Sequence, residues 1–158
     1  MQKYKILFVC LGNICRSPAA EGVMAKLLLD EGLAGQVLVD SAGTSGFHDG
    51  ELPDERMRAH GRKRGYQFCS VSRKLTIQDF KQFDLIIVMD EQNHKNVMAL
   101  APTQLDKQKV HYMTEYLQHH QSKYIPDPYY QGEEGFENVL NLLEDACYGL
   151  LRNVKSQL

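Results

Sequence analysis

Cys10 and Arg16 stand where their chemistries could combine. Cys10 closes the apolar run KILFVC, and Arg16 follows six residues later, directly before Ser17-Pro18. Serine caps helices well and proline suits a first helical turn, so the segment reads as strand, loop, helix. A loop of this length above a helix N-terminus turns N–H groups inward, where the helix dipole adds partial positive charge. Gly12 and Asn13 should help, because both reach positive φ more readily than most residues. The cup formed by Leu11, Gly12, Asn13, Ile14, Cys15 and Ser17 suits a tetrahedral dianion, with the fork of Arg16 closing on two of its oxygens. Phosphate is the expected guest. A helix N-terminus and a nearby arginine also favour thiolate over thiol, and a thiolate under a phosphoryl group is placed for in-line attack. A lone cysteine at a strand end is usually just a small buried residue. The company of Gly12, Asn13, Arg16, Ser17 and Pro18 argues for the reactive reading.

Displacement at phosphorus needs a proton for the departing oxygen, and Asp127 is the candidate donor. Pro126 and Pro128 bracket it and stiffen its loop, while Tyr129 and Tyr130 offer a partly apolar surround. Asp-Pro alone is more often an ordinary turn.

These groups need a frame. A second strand fits QVLVDSAG, a third FDLIIVMD and a short fourth KVHYM. Between them lie helical patterns: Ala20 to Leu28 ending at Gly32, the basic segment Asp54 to Gly65, Thr76 to Gln82, and Glu91 to Leu100. From Phe136, apolar residues recur at helical spacing through Val139, Leu140, Leu143, Cys147, Leu150 and Val154. Strands that read as continuous apolar runs and alternate with helices predict an α/β fold. The expected form is a three-layer, doubly wound sandwich: a central four-stranded parallel sheet with helices on both faces. Ligands of such sheets bind at the carboxyl ends of the strands, where LGNICRSP, SAGTSGFHD and MDEQN would lie.

Composition sets the bounds. With 158 residues and 43% hydrophobic content, one domain spanning 1–158 is expected. No stretch approaches the roughly 20 apolar residues of a membrane span, nor is there a secretory leader, so a cytoplasmic location is expected. Cys10, Cys15, Cys69 and Cys147 then read as free thiols. A net charge of −2 gives no general attraction to nucleic acid or membranes. The histidines lack partners at metal-ligand spacing, so no metal or other cofactor is expected. The cluster Arg56, Arg58, His60, Arg62, Lys63 and Arg64 reads as a solvated basic helix face.

VCLGNICRSP, SAGT after the second strand and the late DPYY together resemble the low-molecular-weight protein tyrosine phosphatases, over nearly the whole chain. The resemblance implies a phosphocysteine on Cys10, phosphoryl binding by Arg16, and Asp127 as acid and then base. It also implies that Ser17 bonds the Cys10 thiolate and that Asn13 and Ser41 together fix the loop backbone. Cys10 and Cys15 would form a reversible disulfide under oxidation. Phe47, Tyr129 and Tyr130 would surround a phosphotyrosine ring at the pocket mouth. The expected partner is a phosphotyrosine-containing protein or small aryl phosphate, met by a monomer. Two departures stand out: Phe47 occupies a loop where animal members place tryptophan or tyrosine, and Ser70 lies close to the position of a structural histidine. Arsenate reduction on the same scaffold is an alternative; it requires a thiol relay, for which Cys15, Cys69 and Cys147 form no obvious pair. A phosphoryl carrier is another, one that would not need Asp127.

Overall fold

The computed structural model describes residues 3–158. Strand β1 (Tyr4–Cys10) leads through the Cys10–Arg16 loop into α1 (Arg16–Asp30), followed by β2 (Val37–Gly43). Next come α2 (Glu55–Lys63), α3 (Ile77–Gln82), β3 (Leu85–Val88) and α4 (Glu91–Leu100). The short α5 (Gln104–Lys107), β4 (Val110–Tyr112), a 3₁₀ turn (Met113–Tyr116) and the long α6 (Gly132–Lys155) complete the chain. The four strands form one parallel sheet in the order β2-β1-β3-β4.

Alternation along β1 divides the core. Ile6, Phe8 and Cys10 face one side, where α1 and α6 pack, while Leu7 and Val9 face the side covered by α3 and α4. Both faces are therefore dry along residues 6–10 of β1 and along β3, which explains why these stretches carry no polar alternation. The chain leaves β1 toward β2 on one side, and β3 lies on the other. Their loops diverge above the end of β1 and open a crevice at Cys10.

Several boundaries differ from expectation. Helix α1 stops at Asp30, two residues short of Gly32, whose φ of 72° turns the chain away. Helix α6 begins at Gly132, a turn before Phe136. The α5 and 3₁₀ segments carried no apolar period and were not expected. The basic segment is not uniformly solvated: Met57 and His60 are buried on one side of α2, and His60 with Arg64, the residue just past its end, meets α6. His60 is buried, stacks on Phe136 and bonds Glu137, while Arg64 pairs with Glu137 at 2.7 Å and Glu144 at 2.6 Å. Arg62 and Lys63 remain exposed as expected.

Asp145 anchors α6 to the preceding segment. Its carboxylate accepts from the backbone N–H groups of Gln118 at 3.0 Å, His119 at 3.0 Å and His120 at 2.9 Å. Burial opposes the charge, but the bonds from His120, His119 and Gln118 outweigh it and hold the carboxyl below its usual range. A lowered folded-state value contributes stability that is present above about pH 4 and lost as pH falls through the folded value. Asp145→Asn protein should melt about 3–6 °C lower at neutral pH, with the gap closing on acidification in thermal melts.

Candidate active site

The turn after β1 is built from the outside. The carbonyls of Cys10, Leu11 and Ile14 accept from the backbone N–H groups of Thr44, Ser45 and Asp54 at 2.9, 2.9 and 2.8 Å. The Gly12 carbonyl accepts from the Ser72 hydroxyl at 3.1 Å. In a trans peptide the N–H points opposite to its C=O, so these outward carbonyls send the amides of Leu11, Gly12, Asn13 and Cys15 inward. Asn13 takes the strained position, with φ of 56°. Gly12 does not adopt positive φ, contrary to expectation. Its lack of a side chain matters for space instead, since a Cβ there would lie 3.0 Å from His48 Cδ2. Gly43, at the end of β2, has a similar constraint: a Cβ would stand 2.8 Å from the Leu11 carbonyl oxygen and 3.1 Å from Asn13 Cβ.

A directed series of hydrogen bonds ends on the sulfur. The Arg73 backbone N–H can only donate, and it donates to Asn13 Oδ1 at 3.0 Å. That fixes the amide orientation, so Asn13 Nδ2 donates to Ser17 Oγ at 2.7 Å. The Ser17 hydroxyl hydrogen is left for Cys10 Sγ at 3.0 Å or, less favourably, the Ala42 carbonyl at 3.4 Å. The Ser17 backbone N–H adds a second donor, 3.5 Å from the sulfur. Ser41 takes no part in this series, contrary to the expected pairing with Asn13. Its hydroxyl donates to Glu21 Oε1 at 2.6 Å, and Glu21 is held above the usual carboxylate range by burial, partly opposed by Ser41 and Ser70. The reason is register: Ser41 pairs with Phe8, two residues before the Cys10–Gly43 pair, which leaves it about 7 Å short of the loop.

Arg16 is buried at the rim of the cup with 2% of its surface exposed. Its Nη1 donates to Asp90 Oδ2 at 2.6 Å and to the Ile125 carbonyl at 3.0 Å, and Nη2 lies 3.7 Å from Asp127 Oδ2. Burial works against the guanidinium charge, but Cys10 and then Asp90 more than offset it. Asp90 also caps α4 by accepting from the Asn93 N–H at 2.8 Å, so it is fixed from both sides. Asp90, Ser72 and Arg73 were not singled out in the sequence. Only Asp90 carried a signal there, as the polar residue that ends the third apolar run and begins a helix.

The cup opens into a cavity of about 400 Å³ that brings together Cys10, Leu11, Gly12, Ile14, Cys15 and Arg16 with Phe47, Asp127, Tyr129 and Tyr130. Asn13 and Ser17 support its floor from behind. Ser45 and His48 line it as well. Asp127 is nearly half exposed, and its Oδ1 accepts from the Tyr129 N–H at 3.1 Å. Phe47 and Tyr130 are 83% and 92% exposed, so they form a rim rather than a wall. The Cys15 thiol is buried, and burial foremost, then Asp54, pushes its ionisation up. All four cysteines are free thiols. A larger, shallower groove of about 970 Å³ runs past Tyr4, Asp84, Lys109 and Arg152, but it contains no cysteine and lies at the other end of the strands.

Fold and site together define a phosphate-binding α/β enzyme scaffold with a cysteine at the base of its loop and an arginine at its rim. The family described as low molecular weight phosphotyrosine protein phosphatase matches residues 5–158. The chain belongs to that family. A crystal structure of a protein tyrosine phosphatase from Entamoeba histolytica is similar at a TM-score of 0.95 and 44% identity, covering 98% of this chain and 99% of that one. A low molecular weight protein-tyrosine-phosphatase of Streptomyces coelicolor is 40% identical over 98% of this chain and 95% of its own length. The human low molecular weight phosphotyrosine protein phosphatase is 38% identical, with 92% of each chain covered.

Proposed function

We propose that this protein hydrolyses phosphate monoesters, foremost phosphotyrosine, through a phosphocysteine on Cys10. The single observation that carries this reading is the Cys10 sulfur at the floor of an inward-facing amide cup, with a hydroxyl directed at it and a buried guanidinium above. The thiolate of Cys10 attacks phosphorus in line as the bond to the ester oxygen breaks. Asp127 gives its proton to the leaving oxygen. It then takes a proton from the water that attacks the phosphocysteine, and inorganic phosphate and the thiolate are released. Arg16 and the loop amides meet the charge on the equatorial oxygens in both steps. The Ser17 hydroxyl stabilises the sulfur as it leaves in the second. Family membership and the aromatic rim of Phe47, Tyr129 and Tyr130 support an aryl ester as substrate, the rings flanking its phenyl group.

The same reading takes residues 1–158 as one domain acting as a cytoplasmic monomer, without nucleic acid, membrane or cofactor. In the described residues no helix is long and apolar enough to cross a membrane.

Rapid-quench experiments with a radiolabelled phosphotyrosyl peptide test the chemistry. One equivalent of phosphate should appear on Cys10 in a burst, followed by steady release. Asp127→Asn enzyme should lose about 10²- to 10³-fold in kcat, with loss in both phases. A burst without turnover would instead identify a carrier, and turnover only of arsenate with an added thiol donor would identify a reductase.

A further inference from the structure

Arg56 has no part in the chemistry above, yet it joins the two halves of the site. Its guanidinium lies between two aromatic rings, 5.0 Å from the centroid of Tyr129 and 4.9 Å from that of Phe136. Phe136 is fully buried in α6, whereas Tyr129 belongs to the loop that carries Asp127. Asp54 fixes the guanidinium from one edge: Nε donates to Oδ1 at 3.1 Å and Nη2 to Oδ2 at 2.9 Å. Asp54 is tied in turn to the cup, its backbone N–H donating to the Ile14 carbonyl at 2.8 Å. On the far side, the Tyr129 N–H holds Asp127 Oδ1 at 3.1 Å. A continuous path therefore runs from Ile14 through Asp54, Arg56 and Tyr129 to the Asp127 carboxyl.

The Asp127 loop has few other attachments. Its entry is held by the Ile125 N–H donating to the Met89 carbonyl at 2.8 Å and by the Arg16 bond to the Ile125 carbonyl. Its exit turns into α6 with the Gln131 N–H donating to the Pro128 carbonyl at 3.0 Å. Between those points the loop is held by the buried Pro128, by Arg16 Nη2 at 3.7 Å from the Asp127 carboxylate and by the half-buried Tyr129 ring, while Tyr130 is almost wholly exposed. A planar guanidinium can meet a ring on each face while its edge serves a carboxylate, which a lysine ammonium cannot do.

We propose that Arg56 is a positioning residue for proton transfer, fixing the height of the Asp127 carboxyl over the phosphate loop by stacking between Tyr129 and Phe136 while clasped by Asp54. The proposal rests on Asp127 being the proton donor. Displacement of a reacting group by about 1 Å costs up to about 10²-fold in rate. A displaced acid matters most where the departing oxygen is most basic, so the loss should depend on the leaving group.

The test is kcat/KM for a series from p-nitrophenyl phosphate to phenyl phosphate and an alkyl phosphate, with inhibition by inorganic phosphate as the gauge of the cup. Wild type is compared with Arg56→Ala, Arg56→Lys, Asp127→Asn and the double variant Arg56→Ala/Asp127→Asn. Asp127→Asn should steepen the dependence most. Arg56→Ala should lose about tenfold on phenyl phosphate and under about twofold on p-nitrophenyl phosphate, with phosphate inhibition unchanged. Lysine should recover part of the loss, and the double variant should be no steeper than Asp127→Asn alone. If the alanine protein does not fold, Arg56→Gln keeps a polar side chain without the cation and allows the same comparison. A loss equal for every leaving group, or weakened phosphate inhibition in step with activity, would be general loosening and overturns the proposal. If Asp127→Asn itself leaves the dependence unchanged, the proton donor is misassigned, and the role of Arg56 goes with it.

Discussion

Cys10→Ser protein is expected to turn over p-nitrophenyl phosphate roughly 10⁵-fold more slowly than wild type while still binding inorganic phosphate. The substitution exchanges one atom and leaves the cup intact, because the outward carbonyl bonds to Thr44, Ser45, Asp54 and Ser72 do not involve the sulfur. What disappears is the sulfur nucleophile of the proposed mechanism. A serine hydroxyl stays protonated at neutral pH, and the series from Arg73 through Asn13 to Ser17 ends in a donor, not in a base that could remove its proton. Among the described residues neither histidine nor carboxylate is bonded to the Cys10 side chain to take that proton. Steady-state rates and phosphate titration by calorimetry give the two readouts. Substantial turnover by the serine protein would mean that the chemistry does not pass through the sulfur.

Arg16→Ala should cost roughly 10³-fold in kcat/KM, and unlike the first variant it should also weaken phosphate inhibition. In the proposed mechanism the guanidinium does two jobs with different nitrogens. Nη1 is committed to Asp90 and the Ile125 carbonyl, which leaves the opposite edge for phosphoryl oxygens. Arg16→Lys should recover little, because one ammonium cannot hold Asp90 and Ile125 while presenting two parallel N–H groups to a phosphate. Stability should fall modestly, since Asp90 loses a partner but keeps the Asn93 N–H and is 24% exposed, so water can reach it. Near-wild-type activity in the lysine protein would show that a point charge suffices.

Much of this was legible in the sequence because it is local. The strand, loop and helix around Cys10 are contiguous, so spacing alone brings them together; Ser17, expected to cap α1, instead lies within its first turn and turns its hydroxyl to the Cys10 sulfur, leaving Cys15 as an N-cap without a side-chain bond. The buried strands announce themselves by apolar runs such as LIIV, which no surface strand would carry. What escaped depends on contacts between distant segments. The bond from Arg16 to Asp90 crosses 74 residues and exists only because the loops after β1 and β3 meet above the sheet. The donation from Arg73 to Asn13 comes from backbone, which no residue type advertises. Ser41 was misplaced because a motif gives neighbours along the chain but not the strand register that sets a side chain's height. The basic segment looked solvated because charges drew attention away from the buried Met57 and His60 and from the contact of Arg64 with α6.

The pronounced exposure of Phe47 and Tyr130 has a consequence for how such an enzyme changes over generations. Side chains that bury almost nothing can be exchanged at little thermodynamic expense, since surface substitutions commonly shift stability by less than about 0.5 kcal/mol. Selection or engineering is therefore free to redraw which molecules are welcomed at the entrance, while the floor of the cup, tied into one of the two inner strands, is inherited unaltered.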